Sequence, residues 1–342
     1  MRTLLLVPAL TLVLSAQAPV DYPALKLEIE AAQKALREDL QAQWKSGKRG
    51  DQIKPDLDTA LQAIRARAKG ATGELKAACL IAEAAATAVA ADLKPLTPRL
   101  LQEVPATSPA WKACPEDLLG YLPMILGPAG EAYIQQLGET GLPELRPVVQ
   151  AGRVEYLIRR GKMGPAETLM AQLKTQYPSH AAVEKAAAHL AGELATTVGN
   201  QAPDFKLVDL DNPGVTLTKA SFKGNYLLLD FWGTWCGFCV AELPTTHKLY
   251  TTYKARGLEI LSLAADKRPE DVVAFRKKPN MPMPWRHAFI GREEGKQDPI
   301  VKAYGIQGYP SLFLIGPDGK ILAKGMDLRE EALEKTLAKF VK

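Results

Sequence analysis

The run Tyr226-Leu227-Leu228-Leu229-Asp230-Phe231-Trp232 is apolar except for one carboxylate, and after Gly233-Thr234-Trp235 it meets Cys236-Gly237-Phe238-Cys239. A short continuous apolar run reads as a strand covered on both faces. Residues 239–255, closed by Gly257, read as a helix. The cysteine pair therefore stands where a buried strand gives way to a helix, which commits this part of the chain to an α/β layer architecture. The following residues agree. Leu258-Glu259-Ile260-Leu261-Ser262-Leu263 is a second strand, 269–277 a second helix, and Ser311-Leu312-Phe313-Leu314-Ile315 a third strand. Pro317-Asp318-Gly319-Lys320 is a turn, 321–323 returns as a fourth strand, and 330–341 closes as a helix. Strand–helix–strand, then a hairpin and a helix, predicts an α/β sandwich around one sheet.

At the start of a helix, backbone N–H groups and the helix dipole stabilise an anion, so Cys236 is favoured as a reactive thiolate. Cys239 lies one turn on and on the same face. This assigns attack to Cys236 and resolution of a mixed disulfide to Cys239. Competing uses of the pair lack their other parts. Haem attachment needs histidine directly after the second cysteine, where Val240 stands, and structural zinc needs a second close pair of ligands. A purely structural bridge would close too small a loop to stabilise much. Asp230 is the one ionisable group in its strand, and burial there raises its pKa and suits it to take the Cys239 proton. Glu242, one turn beyond Cys239, is a second proton acceptor or else a solvated helix residue. Before the 311–315 strand stands Tyr309-Pro310. X–Pro is where a cis bond is affordable, although on the residues alone a trans bond is the expectation.

A length of 342 residues exceeds one small core and suggests two domains. Residues 19–198 read as helices, at 25–44, 56–68, 74–91, 128–137, 144–159, 165–176 and 180–196, with Gly/Pro breaks between them and shorter pieces in the proline-rich stretch 95–147. The later pairs resemble helical hairpins of the repeat type, and an irregular bundle is the alternative. Cys79 and Cys114 either bridge or are buried as small apolar side chains. Met1-Arg2, an apolar run over 4–14 and Ala16-Gln17-Ala18 form the layout of a secretory signal, placing 1–18 as a signal peptide and the mature protein outside the cytoplasm. Pro19 is awkward beside that cleavage site, and a membrane association follows only if the segment stays attached. The net charge of +5, spread over 43 basic and 38 acidic residues without a basic block, argues against a nucleic-acid role.

Several segments of 199–342 resemble the TlpA/ResA-like branch of the thioredoxin superfamily. They are Asn200-Gln201-Ala202-Pro203-Asp204-Phe205, 217–224, Asp230-Phe231-Trp232-Gly233-Thr234-Trp235-Cys236 with Glu242-Leu243-Pro244 behind, 301–310 and 313–320. The resemblance implies a C-terminal thioredoxin fold after an all-α domain and a cis bond at Pro310. It also implies a docking face of Trp235, Phe238, Tyr309 and Pro310, where the Tyr309 backbone pairs with a substrate strand. It supports Cys236, Cys239, Asp230 and Glu242 as the working groups. No cofactor is implied beyond the Cys236–Cys239 disulfide, and the partners are protein thiols or disulfides and an upstream dithiol donor. Members are typically exported reductants. Phe238 replaces the usual proline before the second cysteine and leaves the direction of electron flow open. Two other readings stand beside this one: a redox domain accessory to a helical partner-binding or chaperone-like domain, and a peroxiredoxin-type peroxidase. The latter shares the Ala202-Pro203-Asp204-Phe205 entry but lacks its Pro-x-x-x-Thr-x-x-Cys loop.

Overall fold

The computed structural model describes residues 19–48, 52–91, 93–278, 283–292 and 298–342; the expected signal peptide, 1–18, lies outside them. The chain forms two compact units, one ending at Arg153 and the other spanning Val154–Lys342.

The first unit is helical. It holds α1 (Tyr22–Lys45), α2 (Leu57–Ala60), α3 (Gln62–Ala68), α4 (Gly73–Thr87), α5 (Thr97–Glu103), α6 (Glu116–Leu126), α7 (Glu131–Thr140) and the first part of α8 (Arg146–Arg159). The Asp21 side chain caps α1 by accepting from the Ala24 amide, and Leu25, Ile29, Ala32 and Leu36 form its buried stripe. α4 is buried on nearly every side, which its alanines permit because they let neighbouring backbones approach. Cys79 on α4 and Cys114 are both buried free thiols rather than a bridge, and desolvation pushes the pKa of each upward.

The second unit begins with the end of α8, then α9 (Met163–Gln176) and α10 (Ala181–Ala195). It therefore starts earlier than the change of sequence pattern near Gly199. The reason is physical: α10 is fastened to the α/β part. Its Gly192 backbone lies so close to Gly305 that a Cβ at 192 would stand 2.3 Å from the Gly305 Cα. Beside this contact runs a chain of charges. His189 Nδ1 donates to Glu155 Oε2 at 2.5 Å, and its Nε2 lies 3.7 Å from Glu193. Lys324 donates to Glu193 at 2.6 Å and to Thr196 Oγ1 at 3.2 Å. Burial alone would drive His189 neutral, but the two carboxylates outweigh it and raise its pKa to about 9. Burial likewise opposes Glu193 ionisation, and bonds from His189 and Lys324 bring that group down to about 2.

The α/β part carries a hairpin of β1 (Lys206–Val208) and β2 (Thr216–Thr218) beside one five-stranded sheet. The sheet elements are β3 (Tyr226–Trp232), α11 (Gly237–Tyr253), β4 (Leu258–Ala264), α12 (Pro269–Arg276), β5 (Arg286–Phe289), α13 (Pro299–Ala303), β6 (Ser311–Ile315), β7 (Ile321–Lys324) and α14 (Glu330–Phe340). The strand order is β5-β4-β3-β6-β7, with β3, β4 and β5 parallel and β6 and β7 antiparallel additions. This is the expected thioredoxin-like fold. Two-residue alternation splits the core: Leu228 and Trp232 face α11 and α14, whereas Leu227, Leu229 and Phe231 face the β1–β2 side. The edge strand β5 and the short α13 have no counterpart in the sequence reading.

Replacing His189 with Gln removes the cation held between two glutamates, and should cost about 1.5–3 kcal/mol of stability near neutral pH. A histidine with a raised folded pKa stabilises fully below its unfolded value and loses that contribution as pH rises through the folded value, here about 9. The difference in Tm between wild type and H189Q should therefore be largest at mildly acidic pH and shrink above pH 9, as thermal melts across that range will measure.

Candidate active site

The site is built where β3 ends. Cys236 is the N-cap of α11, and its Sγ accepts from the Cys239 amide at 3.2 Å. That N–H would otherwise lack a partner in the first turn, so a sulfur carrying negative charge is held by the helix start itself. Cys236 and Cys239 are joined by a disulfide with S–S 2.05 Å, and both are almost fully buried.

The loop before the pair is pinned from below. The Asp266 carboxylate accepts from the Thr234 amide and hydroxyl, and the Trp235 indole N–H donates to the Ala265 carbonyl at 2.7 Å. Gly233 is required here, because a Cβ would stand 2.5 Å from the Trp235 Nε1. The Trp235 ring meets Tyr309 edge-on, with centroids 5.6 Å apart, and the Tyr309–Pro310 bond is cis. Phe238 is 76% exposed and Trp235 46% exposed, while Tyr309 and Pro310 are half-buried. The four residues expected at a docking face thus include two large apolar side chains left in solvent beside the disulfide. The Arg292 guanidinium lies 3.9 Å from the Trp235 ring centroid, a cation over the same face.

Asp230 sits on the β3 face that carries Leu228 and Trp232, the side on which Cys239 is packed. It is buried, and desolvation raises its pKa to about 7. A hydrogen bond from Ser262 Oγ, 2.9 Å away, works in the opposite direction. Ser262 is the register partner of Asp230 on β4, and it accepts in turn from the Trp285 indole at 2.9 Å. Glu242 raises Asp230 further by like charge, and Arg329 lowers it. Glu242 is not a solvated helix residue: its carboxylate accepts from Arg329 Nε at 2.6 Å and is largely shielded from solvent. Among the described residues, no group of three or more His, Cys, Asp or Glu is placed to hold a metal ion.

Sequence reasoning missed Ser262, Trp285, Asp266, Arg329 and Arg292. Ser262 had a visible signal, being the one hydroxyl in an apolar strand. Arg329 had none, because its partner is distant in sequence.

The sequence profile of the AhpC/TSA family matches residues 198–324. The thiol-disulfide oxidoreductase ResA of Bacillus thuringiensis subsp. konkukian is 37% identical over 145 residues, which span 42% of this chain and 78% of that protein. ResA of Geobacillus thermodenitrificans is 36% identical over 129 residues, 38% of this chain and 69% of that one. Among solved structures, the thioredoxin domain of a thiol-disulfide oxidoreductase from Bacteroides vulgatus is 32% identical, covering 43% of this chain and 99% of that one with a TM-score of 0.38.

Ser262→Ala deletes the hydroxyl that favours the ionised carboxylate. Asp230 should then titrate above its value of about 7, by roughly one to two further units given the strength of a hydrogen bond to a charged group. A carboxyl carbon NMR titration will read the shift.

Proposed function

This chain belongs to the ResA family of thiol-disulfide oxidoreductases, and from that premise we propose that it is an exported reductant of protein disulfides. The observation that carries the reading is a disulfide cap at the start of α11 with a buried carboxyl of perturbed acidity on the same side of the sheet.

In the dithiol form the Cys236 thiolate attacks one sulfur of a substrate disulfide. The substrate bond breaks, one substrate sulfur leaves as a thiolate that takes a proton from solvent, and the other is joined to Cys236. Cys239 then gives its proton to Asp230 or to Glu242 and attacks the Cys236 sulfur. The mixed disulfide breaks, the second substrate sulfur leaves as a thiolate that takes a proton from solvent, and the Cys236–Cys239 bond is restored. The pair carries both electrons, so the cycle needs no cofactor beyond it, only an upstream dithiol donor to reduce it again. A proton acceptor on the Cys239 side serves the resolving step that completes reduction of a substrate. Trp235, Phe238, Tyr309 and Pro310 supply the apolar surface on which a polypeptide docks, with the Tyr309 backbone pairing to its strand. The basic residue, apolar run and small-residue triplet of residues 1–18 support export.

The AhpC/TSA description of the matched profile favours one second reading, hydroperoxide reduction. Against it, Leu229 and Gly233 stand where a Pro-x-x-x-Thr-x-x-Cys loop ending at Cys236 would place its proline and threonine.

Cys236→Ser should lower insulin-disulfide reduction at least a hundredfold, and Cys239→Ser should accumulate a mixed disulfide on Cys236. Peroxide consumption that outpaces insulin reduction in the wild type would instead favour the second reading. The wild-type resolving rate should rise with pH as Asp230 ionises through about 7. Asp230→Asn should slow that step by about a hundredfold and flatten the profile, measured by stopped-flow release of a fluorescent thiol.

A further inference from the structure

We infer that the end of α8, the face of α10 and the cis-proline loop together form a subsite for an extended segment of the substrate polypeptide bearing a carboxylate side chain, with Arg159 as its counter-charge. The inference rests on the disulfide-reductant reading above and specifies its substrate.

A groove of about 390 Å³ lies within the second unit. Its walls include Arg159, His189 and Glu193 from the helices and Gln307, Tyr309 and Pro310 from the loop. Tyr309 therefore belongs to two surfaces at once, packing on Trp235 beside the disulfide and lining this groove. A strand paired to the Tyr309 backbone passes from one to the other.

The charges select the occupant. The carboxylates near the groove are already neutralised: Glu155 by His189, and Glu193 by His189 and Lys324. Arg159 is exposed, and no carboxylate among the described residues pairs with it. A second groove shares His189 and Gln307 and continues along α10 past Lys185 and Lys302, alongside Glu184. Across the docking face, Arg292 adds a guanidinium over Trp235. An apolar centre bordered by cations fits a cysteine flanked by acidic residues, because opposite charge steers encounter and like charge rejects the wrong partner. Arginine also suits a carboxylate by its planar fork of donors. The alternative role for Arg159 is to complement the carboxyl end of the α8 dipole, which would affect stability and not substrate choice.

The test uses the full chain, reduced with dithiothreitol, and two fluorescence-quenched disulfide peptides differing only in having Glu or Lys beside the cysteine. Hydroxyethyl disulfide, small and uncharged, is the control. Wild type should prefer the Glu peptide through its half-saturating concentration, and less so at high salt. Arg159→Glu should lower the ratio of Glu-peptide to Lys-peptide kcat/KM by about tenfold or more, equivalent to about 1.4 kcal/mol. Arg159→Lys should keep most of the preference, and turnover of hydroxyethyl disulfide should be unchanged in both variants. An unchanged peptide ratio in Arg159→Glu, with hydroxyethyl disulfide still reduced, overturns the subsite alone, whether or not Tm falls. Failure of the wild type to reduce either peptide or hydroxyethyl disulfide overturns the reductant reading and the subsite with it.

Discussion

Burying the Asp230 carboxyl beneath α11 costs free energy that rises steeply if the group ionises, and its surroundings answer that cost in parts. Ser262 faces it across the strand pair and donates to it, and Trp285 fixes the hydroxyl by donating to the same oxygen. Glu242 adds like charge, and Arg329 offsets it. The result is a group poised near neutrality instead of one locked in either state. Arg329 stands at the turn into α14, where the next residue, Glu330, has φ 48°, a left-handed conformation that is uncommon for a non-glycine residue. Such a conformation persists only when its surroundings hold it, and here the turn into α14 delivers the guanidinium to Glu242.

The disulfide obeys a related constraint. A sulfur at a helix N-cap is useful only if the preceding loop cannot relax, and three contacts from residues 265 and 266 hold Thr234 and Trp235 in place. β4 thus serves both halves of the chemistry. Its middle supplies the hydroxyl for Asp230, and the residues just beyond its end anchor the loop that carries the cysteines.

Much of this was legible in the chain. The apolar run with a single carboxylate pointed to β3, its burial and the raised pKa of Asp230, and the cysteine spacing pointed to the head of α11. β5 was not legible, because Arg286-His287-Ala288-Phe289 reads as polar. His287 is nevertheless fully buried, and desolvation lowers its pKa to about 4, so it packs as a neutral ring against Trp285. The first unit's helices were readable from apolar spacing, although the cap at Asp21 that starts α1 was not. The reach of the second unit back to Val154 was not, because it depends on partners far apart in sequence: Lys324 with Glu193, and Gly305 with Gly192. A glycine in the last turns of a helix reads as a weakness until the backbone it admits is known.

That glycine pair has a mechanical meaning. Where side chains separate two elements, rotamer changes provide slack, and one element can shift without the other. Gly192 and Gly305 leave no such layer, and only Ile306-Gln307-Gly308 separates Gly305 from Tyr309-Pro310. The placement of α10 and that of Gly305, four residues before Tyr309, are therefore fixed together by backbone-to-backbone packing.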